Sequence, residues 1–214
     1  MAFHVTSLWR YPVKTLAGEP LSSAVVGRDG LVGDRLVCVR GPEGVRTSRR
    51  HYRLLGLRGS LGADGEPLVN GYRWHSVEAA ALVKAAAGDD AWLEPIDAAA
   101  RFDVMPLLVA TDGAVAAFGR DVRRLRPNLL IGGVDGMAET RWPGRTLHIG
   151  DVVVRLDSLR GRCPMTTVDP DTLERDASVL RDIGARFNGR LALNAEVVGG
   201  GTIRVGDAVV LRVA

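Results

Sequence analysis

One cysteine in this chain stands among residues that could give it chemistry to do. In Arg160-Gly161-Arg162-Cys163-Pro164-Met165-Thr166-Thr167-Val168-Asp169-Pro170-Asp171-Thr172, the thiol directly follows an arginine and lies three residues before a threonine pair. The stretch closes in turn-forming Asp-Pro-Asp, and the strand pattern Val152–Leu156 runs into it, so Cys163 belongs at or just past a strand end. A neighbouring guanidinium favours the thiolate and an element end gives access, which are the two requirements of a reactive or metal-binding cysteine. The competing reading is a small buried hydrophobe, the usual fate of a free cysteine. Cys38, inside Leu36-Val37-Cys38-Val39, reads as strand core. Two cysteines make no disulfide framework, and His4, His51, His75 and His148 are too scattered for a zinc site.

The cations are the second resource. The 214 residues carry 28 Lys and Arg against 25 Asp and Glu, a net charge of +3, and the only lysines are Lys14 and Lys84. Arginine's planar fork suits phosphate and carboxylate oxyanions. Acidic residues are interspersed throughout, so no basic stripe for nucleic acid is present. Lys14 follows Tyr11-Pro12-Val13, and proline there forbids a central ladder position, so the lysine should emerge at a strand end or bulge. No apolar run approaches the roughly 20 residues of a membrane helix. The first residues show neither the charged head nor the apolar stretch of a secretory signal. A cytoplasmic protein with no membrane partner is the expectation.

The elements that must hold these groups are mostly short strands. Residues 3–13, Leu21–Val26 and Arg35–Arg40 read as strands, and Asn70-Gly71 marks a hairpin. Ser76 reads as the N-cap of a helix over Val77–Ala87 that stops at Gly88. A boundary falls near Asp97–Arg101, dividing residues 1–98 from 99–214. Beyond it come Val104–Ala110, a brief helix capped by Thr111 or Asp112, then Arg126-Pro127-Asn128 and the apolar Leu129–Ile131. Thr146–Ile149 and Val152–Leu156 flank Gly150-Asp151, a dipeptide in hairpin position. Val179, Leu180, Ile183 and Phe187 mark a helix face, and the strands Leu191–Val198 and Thr202–Val213 finish the chain. No G-x-G-x-x-G follows a strand, which argues against a dinucleotide-binding Rossmann domain. Many short strands with glycine-marked corners predict a mainly β or α+β protein: a closed barrel or sandwich with a small helix-containing N-terminal part.

Five separated stretches together resemble the MOSC family, named for the C-terminal domain of molybdenum cofactor sulfurases. They are Tyr11-Pro12-Val13-Lys14, Gly33-Asp34-Arg35, Arg126-Pro127-Asn128-Leu129, the cysteine loop from Arg162 to Pro170, and Gly201-Thr202-Ile203-Arg204-Val205-Gly206-Asp207. Leu173 stands where the family commonly has glycine after Asp-Pro-Asp-Thr. Within that family the pattern resembles the amidoxime-reducing members. The resemblance implies a closed MOSC-type β-barrel holding a pyranopterin molybdenum cofactor, with Cys163 as the metal's thiolate ligand. It also implies Lys14, Thr15 and Arg35 near the pterin or its phosphate, with Thr111, Asp112, Arg126, Asn128 and Arg162 lining the same pocket. The implied activity is reduction of small N-hydroxylated (N–O) molecules, with electrons from a separate donor protein. Two alternatives stay open: a carrier that holds molybdenum cofactor without turnover, and a sulfur carrier bearing a persulfide on Cys163.

Overall fold

A computed structural model describes residues 2–213. Its centre is a closed barrel of seven strands: β1 (Phe3–Arg10), β2 (Leu107–Thr111), β3 (Leu129–Gly132), β4 (Arg145–Ile149), β5 (Val152–Gly161), β6 (Arg190–Gly199) and β7 (Ala208–Val213). Going round the barrel the order is β1, β3, β2, β6, β5, β4, β7 and back to β1. All neighbours are antiparallel except β2 and β3, which are parallel and joined through a helix. The first strand of the chain is therefore a stave of a barrel whose other six staves all follow Pro106.

Alternation of apolar residues fills the interior. Val152, Val154 and Leu156 from β5, Leu147 and Ile149 from β4, and Leu129 and Ile131 from β3 all point inward and are fully buried. In β1 the inward residues Val5 and Leu8 are three apart rather than two. A bulge between Val5 and Ser7 supplies the extra residue and keeps both on the core face. The long pair β5–β6 slips register three times, at Val153/Val154, Leu156/Ser158 and Leu159/Gly161. Beyond the last of them β5 ends at Gly161, and Arg162 and Cys163 follow directly.

Residues 11–17 and 35–96 build a second packed unit, while the stretch between them packs with the barrel. Val37–Gly41 pairs with Trp92–Pro95, and helix α1 (Val77–Ala87) covers them, burying Val39, Leu54, Val69 and Val83. The Ser76 hydroxyl accepts a hydrogen bond from the Ala79 amide, and the helix ends at Gly88 with φ 112°, as the sequence predicts. Asn70 and Gly71 both have positive φ, as a tight hairpin turn requires. On the barrel's outside, α2 (Asp112–Phe118) and α3 (Ala177–Phe187) bury Phe118, Leu125, Val179 and Ile183 against Leu191.

Two expected strands differ. Leu21–Val26 is broken at Ser22: Glu19–Leu21 extends the barrel sheet beside β1, whereas Ser23–Gly27 pairs with Gly201–Arg204 near the other end of the chain. The strand expected at Val104–Ala110 begins only at Leu107, because residues 97–106 cross between the two packed units as a connecting strap.

Candidate functional site

The cysteine loop begins where β5 ends. Cys163 has extended backbone and precedes a single 3-10 turn, Pro164–Thr167. Both threonines close that turn: Thr166 Oγ1 donates to the Cys163 carbonyl at 2.9 Å, and Thr167 Oγ1 donates to the Pro164 carbonyl at 2.7 Å. Their hydroxyls are thus used to fix the loop, leaving the thiol of Cys163 half-buried, free, and facing a cleft of about 100 Å³.

Cations from both packed units surround this cleft: Lys14, Arg35 and Arg49 from one, Arg126, Arg160 and Arg162 from the other. Arg162 is half-buried; it donates to the Leu125 carbonyl at 2.8 Å, while its Nε is buried and meets no acceptor. Burial lowers its pKa to about 10, opposed by the adjacent Cys163. Arg126 lies 4.2 Å from the centre of the Tyr11 ring and is likewise lowered to about 10 by burial. Arg35 stacks between the rings of Tyr11 and Phe102, 5.3 and 5.5 Å from their centres, and pairs with the buried carboxylate of Asp34. Burial pushes Asp34 up, an effect that Arg35 opposes most strongly. Tyr11 donates its hydroxyl to the Pro127 carbonyl at 3.0 Å, and burial raises its pKa to about 12.

Three non-glycine residues of the lining, Thr15, Arg35 and Arg126, have φ of 86°, 53° and 58°. Each left-handed residue costs about 1–2 kcal/mol, and clusters of such strain mark sites where the surroundings dictate backbone direction.

Among the residues singled out from the sequence, Lys14, Thr15, Arg35, Arg126, Arg162 and Cys163 come together on the cleft. Thr111, Asp112 and Asn128 do not line it, because their polar atoms are engaged in holding the barrel. Thr111 Oγ1 donates to the buried Glu139 carboxylate at 2.7 Å and caps α2. Asp112 accepts from the Gly133 and Val134 amides at 2.7 and 2.9 Å. Asn128 accepts from the Leu108 amide at 3.1 Å and donates to the Trp9 carbonyl at 3.2 Å, tying β1, β2 and β3 together.

Sequence reasoning passed over Arg49, Arg160 and Asp103. Asp103, on the connecting strap, accepts from Lys14 at 3.0 Å and Arg49 at 2.7 Å, with Arg160 3.5 Å away. Burial works against its charge, but the hydrogen bond from Lys14 and the nearby arginines hold its carboxyl below the usual carboxylate range. Arg160 was the more discoverable, since alternation along β5 places it two residues before Arg162. No local pattern marks Asp103.

Residues 2–88 match the MOSC N-terminal beta barrel domain and residues 110–210 match the MOSC domain. The chain belongs to the MOSC family. Within that family it is 28% identical to human mitochondrial amidoxime-reducing component 1 over 78% of this chain and 67% of that protein. It is 36% identical to human mitochondrial amidoxime reducing component 2, but over only 33% of this chain and 22% of that protein. In fold, the MOSC chain is similar to the crystal structure of the YUAD protein from Bacillus subtilis, with a TM-score of 0.51, 9% identity, and coverage of 100% of this chain and 97% of that one. Among the described residues, no helix is long and apolar enough to cross a membrane.

Proposed function

We propose that this chain is a molybdenum-cofactor-dependent reductase of small N-oxygenated molecules, with Cys163 as the metal's protein ligand and a separate protein as electron donor. One observation carries the reading: a free, half-buried thiol opens onto a cleft crowded with guanidinium groups, one of which keeps a buried Nε without an acceptor. A buried donor left unmatched costs about 1–3 kcal/mol, so the cleft is built for an anionic occupant. The donor set fits the cofactor: a soft thiolate for a redox metal, and Lys14, Arg35 and Arg49 for a phosphate. When bound, the cofactor would supply two-electron oxygen-atom chemistry that side chains alone lack.

The chain's own residues prepare that chemistry. The Pro164–Thr167 turn, closed by both threonine hydroxyls, fixes the sulfur's direction. Arg162 and Arg126, held at the cleft by the Leu125 carbonyl and the Tyr11 ring, bring positive charge to the thiolate side of the site. Asp103 gathers Lys14, Arg49 and Arg160 into one ring of charge, so these long side chains lose less freedom when an oxyanion arrives.

The test is metal and pterin content after expression in a molybdenum-replete host. Stoichiometric molybdenum should be lost in Cys163→Ala and kept in Cys38→Ala. Lys14→Ala and Arg126→Ala should each weaken cofactor retention by about 1–3 kcal/mol; unchanged retention in both would contradict the pocket. Loaded protein should reduce benzamidoxime with an artificial electron donor. Loaded protein without turnover would instead be a carrier, and a persulfide on Cys163 in metal-free protein would make it a sulfur carrier.

A further inference from the structure

Arg126 and Met165 form a wall with a second face. Behind it lies a cavity of about 490 Å³, larger than the cleft and free of Cys163. That size falls in the roughly 300–1,000 Å³ range of small-molecule sites. Trp9, Tyr11, Leu55, Val168 and Leu173 line it, together with Asp171, the partner of Arg123. The two ring-bearing residues come from β1 and its extension, the aliphatic ones from the 3-10 turn Tyr52–Gly56 and the segment after the cysteine loop. Flat and branched apolar walls of this kind suit a planar ring system.

Charge narrows the ligand further. Of the four arginines on the cavity, two are already neutralised. Arg123 is paired with Asp121 and Asp171 at 2.7 and 2.6 Å, and Arg124 with Asp169 at 2.8 Å. Arg58 and Arg126 have no ion pair and no side-chain hydrogen bond among the described residues; Arg58 engages Asn70 only through its backbone. Two unneutralised guanidinium groups bordering an apolar chamber match a ligand with an apolar body and one anionic group.

We infer that this chamber is a second binding site, which takes a flat, mainly apolar organic acid with its carboxylate answering Arg58 and Arg126. Only Arg126 and Met165 are shared with the cysteine cleft, so the two sites meet at Arg126.

Calorimetric titration of the full chain with 2-naphthoate, and with neutral 2-naphthamide, tests this. One saturable site for the acid with a Kd below about 1 mM is expected, with the amide at least about tenfold weaker. Leu55→Trp, which fills the chamber, should abolish binding, and Lys14→Ala, which touches only the cleft, should leave it unchanged. Circular dichroism checks the fold of Leu55→Trp, and Leu173→Phe replaces it should it unfold. The inference is overturned by no saturable binding of the acid, by equal binding of acid and amide, by binding that survives a folded chamber-filling variant, or by loss of binding in Lys14→Ala.

Discussion

Cys38 and Cys163 carry the same functional group into opposite surroundings. Cys38 sits in the strand Val37–Gly41, 1% exposed and opposite Glu94 of the neighbouring strand. Burial raises its pKa, with Glu94 adding to the effect, so it stays a protonated, inert hydrophobe. Cys163 sits beyond a strand end, half-buried, with its carbonyl held by Thr166 and with arginines lining its cleft. Reactivity is therefore a property of where the fold ends a strand, not of the residue type.

The largest consequence is kinetic. In cofactor-free native protein, iodoacetamide should label Cys163 at least about 100-fold faster than Cys38, since Cys163 is accessible whereas burial shields Cys38 and keeps it protonated. Peptide mapping by mass spectrometry reads the ratio, and equal labelling would erase the distinction. The next is thermodynamic and runs the other way. Cys38→Ser places a hydroxyl without a partner in the core and should cost about 1–3 kcal/mol in urea unfolding. Cys163→Ser should stay within about 0.5 kcal/mol, as expected of a partly exposed position. The smallest is spectroscopic. Tyr11, buried beside the thiol's cleft, should ionise near 12, so an absorbance titration should show one tyrosine about two pH units later than the ordinary value near 10. Its phenol stays neutral in the native state up to that pH and becomes a phenolate only above it. Tyr11→Phe should remove that late step.

Local features of the fold were legible because local chemistry decides them. Ser76 and Gly88 bracket α1, Asn70-Gly71 turns a hairpin, and Gly150, with φ 57°, turns the β4–β5 corner. Leu173, standing where the family commonly has glycine, has φ 61°, the conformation that glycine adopts without strain. Closure of the barrel was not legible strand by strand. β1 pairs with β3 and β7, partners more than a hundred residues away, and no short window encodes that pairing. The site was readable to the same extent. Cys163 and its neighbouring arginine stand out in sequence, and the family resemblance supplied Lys14, Arg35 and Arg126. It also supplied Thr111, Asp112 and Asn128, whose side chains brace the staves from inside the fold. Asp103 escaped because its importance comes entirely from meeting Lys14, Arg49 and Arg160 in three dimensions.

The stave at Phe3–Arg10 has a consequence for synthesis on the ribosome. It needs β7, and Ser23–Gly27 needs Gly201–Arg204, so each waits for a partner made much later in the chain. During translation both would present bare ladder edges, the kind of surface that recruits wrong neighbours. The barrel can close only once Ala208–Val213 has been made, which sets one far-off strand as the last piece that its seam requires.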